Sequence, residues 1–110
     1  MSTDNPVLDT LTDMTAASVD HNSLSVREFM ISRLAAMVAV DAPPISYFVS
    51  ASAIEESGLT AEDIQGVMIA VAPVTGAPRV MSAGGHILRA LGIAVAVAEA
   101  DMADAEGSQP

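Results

Sequence analysis

Apolar residues recur along this chain at helical spacing almost from its start. Val7, Leu8, Leu11 and Met14 fall on one stripe. Asn5 followed by Pro6 opens that segment, because Asn accepts from free helix amides and Pro suits the first helical turn. The first helix is expected to end between Ser18 and His21, with a polar loop from His21 to Leu24. Ser25-Val26-Arg27-Glu28 then reads as a capping box, Ser at the cap and Glu three positions on. The helix it opens is expected to run to about Val40, with Phe29, Met30, Leu34, Met37 and Val38 on one face. It is apolar on most sides beyond Arg33, which predicts a central, buried helix.

Asp41-Ala42-Pro43-Pro44 breaks that helix and begins a third, carrying Ile45, Phe48, Val49 and Ile54 and closed by Gly58. Thr60 caps a fourth, with Glu62 and Asp63 opposing the positive end of the helix dipole and Ile64, Val67, Met68 and Val71 as its stripe. Pro73 to Pro78 reads as a turn. Pro78 starts a fifth helix bearing Val80, Met81, Ile87, Leu88 and Leu91, ended by Gly92. Gly84-Gly85 lies inside it, where each glycine costs about 0.5–1 kcal/mol against Ala and implies close backbone approach to a neighbour. A last Ala/Val helix is expected from Gly92 to Met102, and Ala103 to Pro110 as an acidic frayed tail. No alternation is long enough to build a sheet. The expectation is an all-α domain of five or six helices, divided as an N-terminal helix and loop (1–24), a helical domain (25–102) and a tail (103–110).

Composition narrows the function. The 110 residues are enough for one domain with its own core. Four arginines and no lysine face fourteen carboxylates, a net charge of −10, so the chain offers no basic face for nucleic acid or anionic membrane. Lysine Schiff-base chemistry is excluded, and with no cysteine so are disulfides, thiolate metal sites and dithiol redox cycling. The apolar run from Leu91 to Ala98 is eight residues, short of the ~20 of a membrane span. Met1 to Asp13 holds neither a basic residue nor an apolar run, so no signal peptide is expected and a cytoplasmic location is.

Three blocks carry a family resemblance. Leu24-Ser25-Val26-Arg27-Glu28 is the first, Gly58-Leu59-Thr60-Ala61-Glu62-Asp63-Ile64 the second, and Gly66-Val67-Met68 leading to Ala72 through Pro78 the third. Together they resemble the carboxymuconolactone decarboxylase family, which includes the alkyl hydroperoxidase D proteins. The resemblance spans Ser25 to about Leu91. It implies an alkyl hydroperoxidase D-like helical fold assembled as a homo-oligomer, a dimer, trimer or hexamer. The redox branch carries Cys-x-x-Cys-x-x-x-His where this chain has Pro43, Ser46 and Ser50, and the histidine of the decarboxylase branch also falls on Ser50. A serine hydroxyl replaces neither a thiolate reductant nor a neutral-pH base, so peroxidase activity is not expected.

The remaining candidates each have two readings. Glu28 is a capping residue or, by its position in the family, a site carboxylate. His86 is a packed histidine or an acid–base group, with no carboxylate within a turn of its own helix. Ser46 and Ser50 share a face one turn apart and, with Tyr47, line a remnant pocket or simply permit close packing. Arg79, at a helix start, makes an ion pair between subunits or binds an anion. His21 reads as solvated, the methionines as adaptable core, and the acidic pairs as surface rather than metal ligands. Two functions follow. One is a small-ligand-binding or assembly protein of this fold, needing no cofactor or metal and taking a small carbonyl compound. The other is a cysteine-independent enzyme acting on a lactone or keto acid through Glu28 and His86.

Overall fold

The computed structural model describes residues 5–107. Those residues form five helices and no strand: α1 (Pro6–Asp20), α2 (Val26–Ala39), α3 (Pro44–Glu56), α4 (Ala61–Thr75) and α5 (Ala77–Gly107). Residues 1–4 and 108–110, the ends of the expected N-terminal segment and acidic tail, lie outside the described residues.

The expected caps are formed. Asn5 Oδ1 accepts from the Leu8 amide at 3.0 Å. Ser25 Oγ accepts from the Glu28 amide at 3.1 Å, and Glu28 Oε1 accepts from the Ser25 amide at 2.9 Å. Thr60 and Asp63 repeat this box at the start of α4, with the shorter Asp in place of Glu. These contacts satisfy amides that the first helical turn otherwise leaves unpaired.

Helix α2 is the central element. It packs against α3, α4 and α5, and Met30, Leu34 and Val38 point inward at i, i+4, i+8 spacing. Leu34 and Val38 are the largest fully buried side chains. Around them gather Ala42, Tyr47, Val67, Val71, Ala83 and Ala90. Alanine at 83 and 90 lets α5 approach the core closely without a large side chain in the way. Gly84 has a tight neighbour, since a Cβ there would stand 3.3 Å from Met68 Cε, whereas one on Gly85 meets nothing. The close approach expected at this pair therefore falls, within the chain, on Gly84 alone and against a flexible side chain.

Three helix boundaries differ from expectation. Helix α4 continues through Pro73 to Thr75 instead of turning there; a proline so near the end removes a single helical hydrogen bond. Gly76, at φ 91°, then makes the whole connection to α5. Gly92 does not end α5. The expected fifth and sixth helices are one, and residues 103–107 of the expected tail continue it. An isolated glycine only weakens a helix by about 1 kcal/mol, and the alanines on either side restore the propensity. Over Ala77–Ala103 this helix is long and apolar enough to cross a membrane by length and composition, with 13% of its most apolar window buried. The eight-residue run counted in the sequence underestimated it because the helix was cut at Gly92.

Among the described residues α1 packs closely against no other helix, and only its end, at Val19, lies beside α2 and α3. Its apolar stripe of Val7, Leu8, Leu11 and Met14 is exposed.

An ion pair invisible in the local pattern ties α2 to α4. Arg27 grips Asp63 with two parallel hydrogen bonds, Nη1 to Oδ2 at 3.0 Å and Nη2 to Oδ1 at 2.7 Å. The arginine and the Thr60 amide together hold the Asp63 carboxyl well below its ordinary value of 3.8, the arginine hydrogen bond contributing most. Unfolding returns it to that value. The stabilisation is therefore complete above about pH 4 and is lost as the pH falls further. In urea titrations between about pH 7 and pH 2.5, the unfolding midpoint should drop below pH 4. Asp63→Asn should start from a lower midpoint at neutral pH and fall less steeply. Parallel pH profiles for the two proteins would show that the pair contributes nothing.

Candidate functional site

A half-open cavity of about 240 Å³ lies between α3 and α5, floored by α2 and by the loop into α4. Its deep walls are Leu34, Tyr47, Leu59 and Ala90, all buried. At its mouth stand the exposed Ala51, Glu55 and Leu91. The 3.6-residue repeat of α3 sets Tyr47, Ala51, Ile54 and Glu55 on this one side. Glu55 is the one charged residue among the lining side chains, and Tyr47 the one other with a polar group.

Tyr47 is unusual. Its hydroxyl is shielded from solvent and makes no hydrogen bond among the described residues. Such a group normally finds a partner, and leaving it unpaired costs about 1–3 kcal/mol. Burial, and then the negative charge of Asp41, push its ionisation up from 10.0.

Beside the cavity is a polar cluster built on the end of α2. The amide of Ala42 donates to the Met37 carbonyl at 2.9 Å and that of Asp41 to the Val38 carbonyl at 3.2 Å. These two bonds make a Schellman cap, with Asp41 in the left-handed position at φ 58°. Glycine is the usual occupant, and aspartate there is strained by roughly 1 kcal/mol. The carboxylate offsets that strain with three contacts from α5. Ser82 Oγ donates to Asp41 Oδ1 at 2.7 Å, His86 Nδ1 stands 3.4 Å from the same oxygen, and Arg79 Nη1 is 3.8 Å from Oδ2. His86 Nδ1 also lies 2.9 Å from the Ala42 carbonyl. A carbonyl only accepts, so Nδ1 carries the hydrogen and neutral His86 keeps its lone pair on Nε2.

The sequence candidates thus fall into separate places. Glu28 is held in its capping box, and the Ser25 amide and hydroxyl lower its ionisation from 4.5. His86 sits against Ala42, beyond the other end of the fourteen-residue α2, roughly 20 Å away at 1.5 Å per residue. The two do not converge on one small molecule. Tyr47 lines the cavity; Ser46 and Ser50 are half-buried on α3 but do not form its walls. Arg79 faces Asp41 of its own chain. A carboxylate does meet His86, and it comes from the α2–α3 turn rather than from α5. Ser82 is the serine of the cluster, and its proton points to Asp41, not to the imidazole, so the arrangement lacks a nucleophile–base hydrogen bond. Among the described residues no three His, Asp or Glu side chains gather as a metal site. Asp41 was missed because its partners lie about forty positions away; the one local signal was a non-glycine residue at a helix C-terminus.

No protein-family model, curated protein or solved structure matches the chain.

The Asp41 cluster makes a graded expectation. Asp41→Asn keeps an acceptor for Ser82 and tolerates the left-handed backbone, and should cost less than about 1 kcal/mol in urea unfolding. Asp41→Ala loses the acceptor and keeps the strain, and should cost about 2 kcal/mol. Equal costs for the two would remove the side-chain role.

Proposed function

We propose that the protein is a small-ligand-binding helical homo-oligomer, related to the carboxymuconolactone decarboxylase and alkyl hydroperoxidase D proteins and working without their thiol chemistry. The observation that carries the ligand reading is the cavity between α3 and α5, with its apolar walls and a single charged residue at its mouth. An apolar cavity of about 150 Å³ accommodates benzene. One of about 240 Å³ has room for a bicyclic compound. Tyr47 presents its buried ring to that space, and the polar end of a ligand falls at the mouth, where Glu55 stands.

Surface area supports the assembly. The chain exposes 7676 Å², against roughly 5,700 Å² for a compact folded monomer of its mass. Exposed apolar side chains concentrate on α1 (Val7, Leu8, Leu11, Met14) and on α5 (Met81, Leu88, Leu91, Met102), where they read as faces awaiting neighbours.

Two measurements test the reading. Calorimetry with 1-tetralone, a neutral bicyclic ketone, should show saturable binding that Ala51→Phe abolishes by filling the mouth of the cavity. Absence of binding, or binding indifferent to Ala51→Phe, removes the ligand reading. Light scattering at micromolar concentration should give a multiple of 11.2 kDa, reduced by Leu8→Glu with Leu11→Glu. A monomer mass unchanged by dilution or by these substitutions removes the assembly reading.

A further inference from the structure

The cavity's electrostatics narrow its ligand further. Resting on the reading of this cavity as a ligand site, we propose that it selects uncharged or positively charged ligands and turns carboxylates away. None of the four arginines lines it. Arg27 is committed to Asp63, Arg33 lies over the Phe29 ring at 4.7 Å, Arg79 faces Asp41, and Arg89, exposed on α5 next to Ala90, is not among the lining residues. A ligand carboxylate seated against Leu34, Ile54, Ile64 and Ile87 is thus desolvated without a partner, the most costly way to bury a charge.

The mouth adds repulsion. Glu55 stands there in the last turn of α3, at the negative end of that helix's dipole. Two positive dipole ends lie near the cavity. The first turn of α4, beside Leu59 and Ile64, is already answered by Glu62 and Asp63, and Thr60 accepts from the Asp63 amide. The first turn of α3, which carries Tyr47 in the deep wall, has no side-chain cap and lies at the opposite end of that helix from Glu55. The whole chain carries −10, so the surrounding field has the same sign as Glu55. An ammonium head at the mouth meets Glu55 favourably while its apolar body fills the walls. A keto acid, by contrast, brings a carboxylate into the same place.

One bicyclic scaffold in three charge states tests this: 2-naphthylmethanol, 2-naphthylmethylammonium and 2-naphthoate, followed by naphthyl fluorescence. The chain has no tryptophan to obscure that signal. The alcohol and the ammonium should bind, the ammonium at least as tightly, and the naphthoate at least about tenfold more weakly than the alcohol at low salt. Glu55→Gln should remove the advantage of the ammonium and narrow the gap for the naphthoate. Naphthoate binding as tight as that of the alcohol, with Ala51→Phe abolishing both, overturns the charge selection and leaves the ligand site standing. Ratios unmoved by Glu55→Gln overturn it equally. Failure of all three to bind overturns the site itself, and the selection with it.

Discussion

The fold depends on the burial of one stripe of α2. Leu34 and Val38 are almost wholly withdrawn from water, and α3, α4 and α5 each pack against the helix that carries them. Fully burying such side chains contributes about 1.5–3 kcal/mol each. Polar contacts fix the two ends of the helix. At its start, Arg27 reaches across to the Asp63 box that begins α4. Just past its end, Asp41 and the Ala42 carbonyl engage Ser82 and His86 on α5. Hydrophobic burial sets the position of α2 between its neighbours, and these directional contacts set its register along them.

That arrangement also leaves the space that gives the protein its proposed role. Tyr47 and Ala90 take the places beside Leu34 where α3 and α5 face each other. Ala90 is small, and Ala51, one turn on from Tyr47, and Leu91, next to Ala90, stand at the opening. The helices therefore enclose a gap instead of closing it. Its apolar walls arise from the same side chains that stabilise the bundle, so binding there needs no separate architecture.

Much of this was legible in the chain. The caps at Asn5, Ser25 and Thr60 and the inward stripe of α2 follow from local rules that the fold obeys. The failures were of two kinds. Breakers were read too strongly: Gly92 and Pro73 sit within helices because alanine-rich flanks, in one case, and proximity to the helix end, in the other, make their cost small. Long-range pairs were not read at all. Asp41 and Ser82 are forty-one positions apart, and Arg27 and Asp63 thirty-six. Periodicity places residues on faces but does not say which faces meet. For that reason Glu28 and His86, joined in one candidate site from the sequence, stand at opposite ends of α2. Tyr47 was legible as a pocket residue, whereas the unpaired state of its hydroxyl required knowing every neighbour.

Small-molecule binding by this protein requires that the gap between α3 and α5 be a site that a ligand enters. A crystal structure of the protein grown with 2-naphthylmethanol tests that claim. The expected result is the naphthyl ring lying against Tyr47 and Ile87, with its hydroxyl toward Glu55 at the mouth. A ring found only elsewhere on the surface, with the space between α3 and α5 closed by its own side chains, would contradict the account.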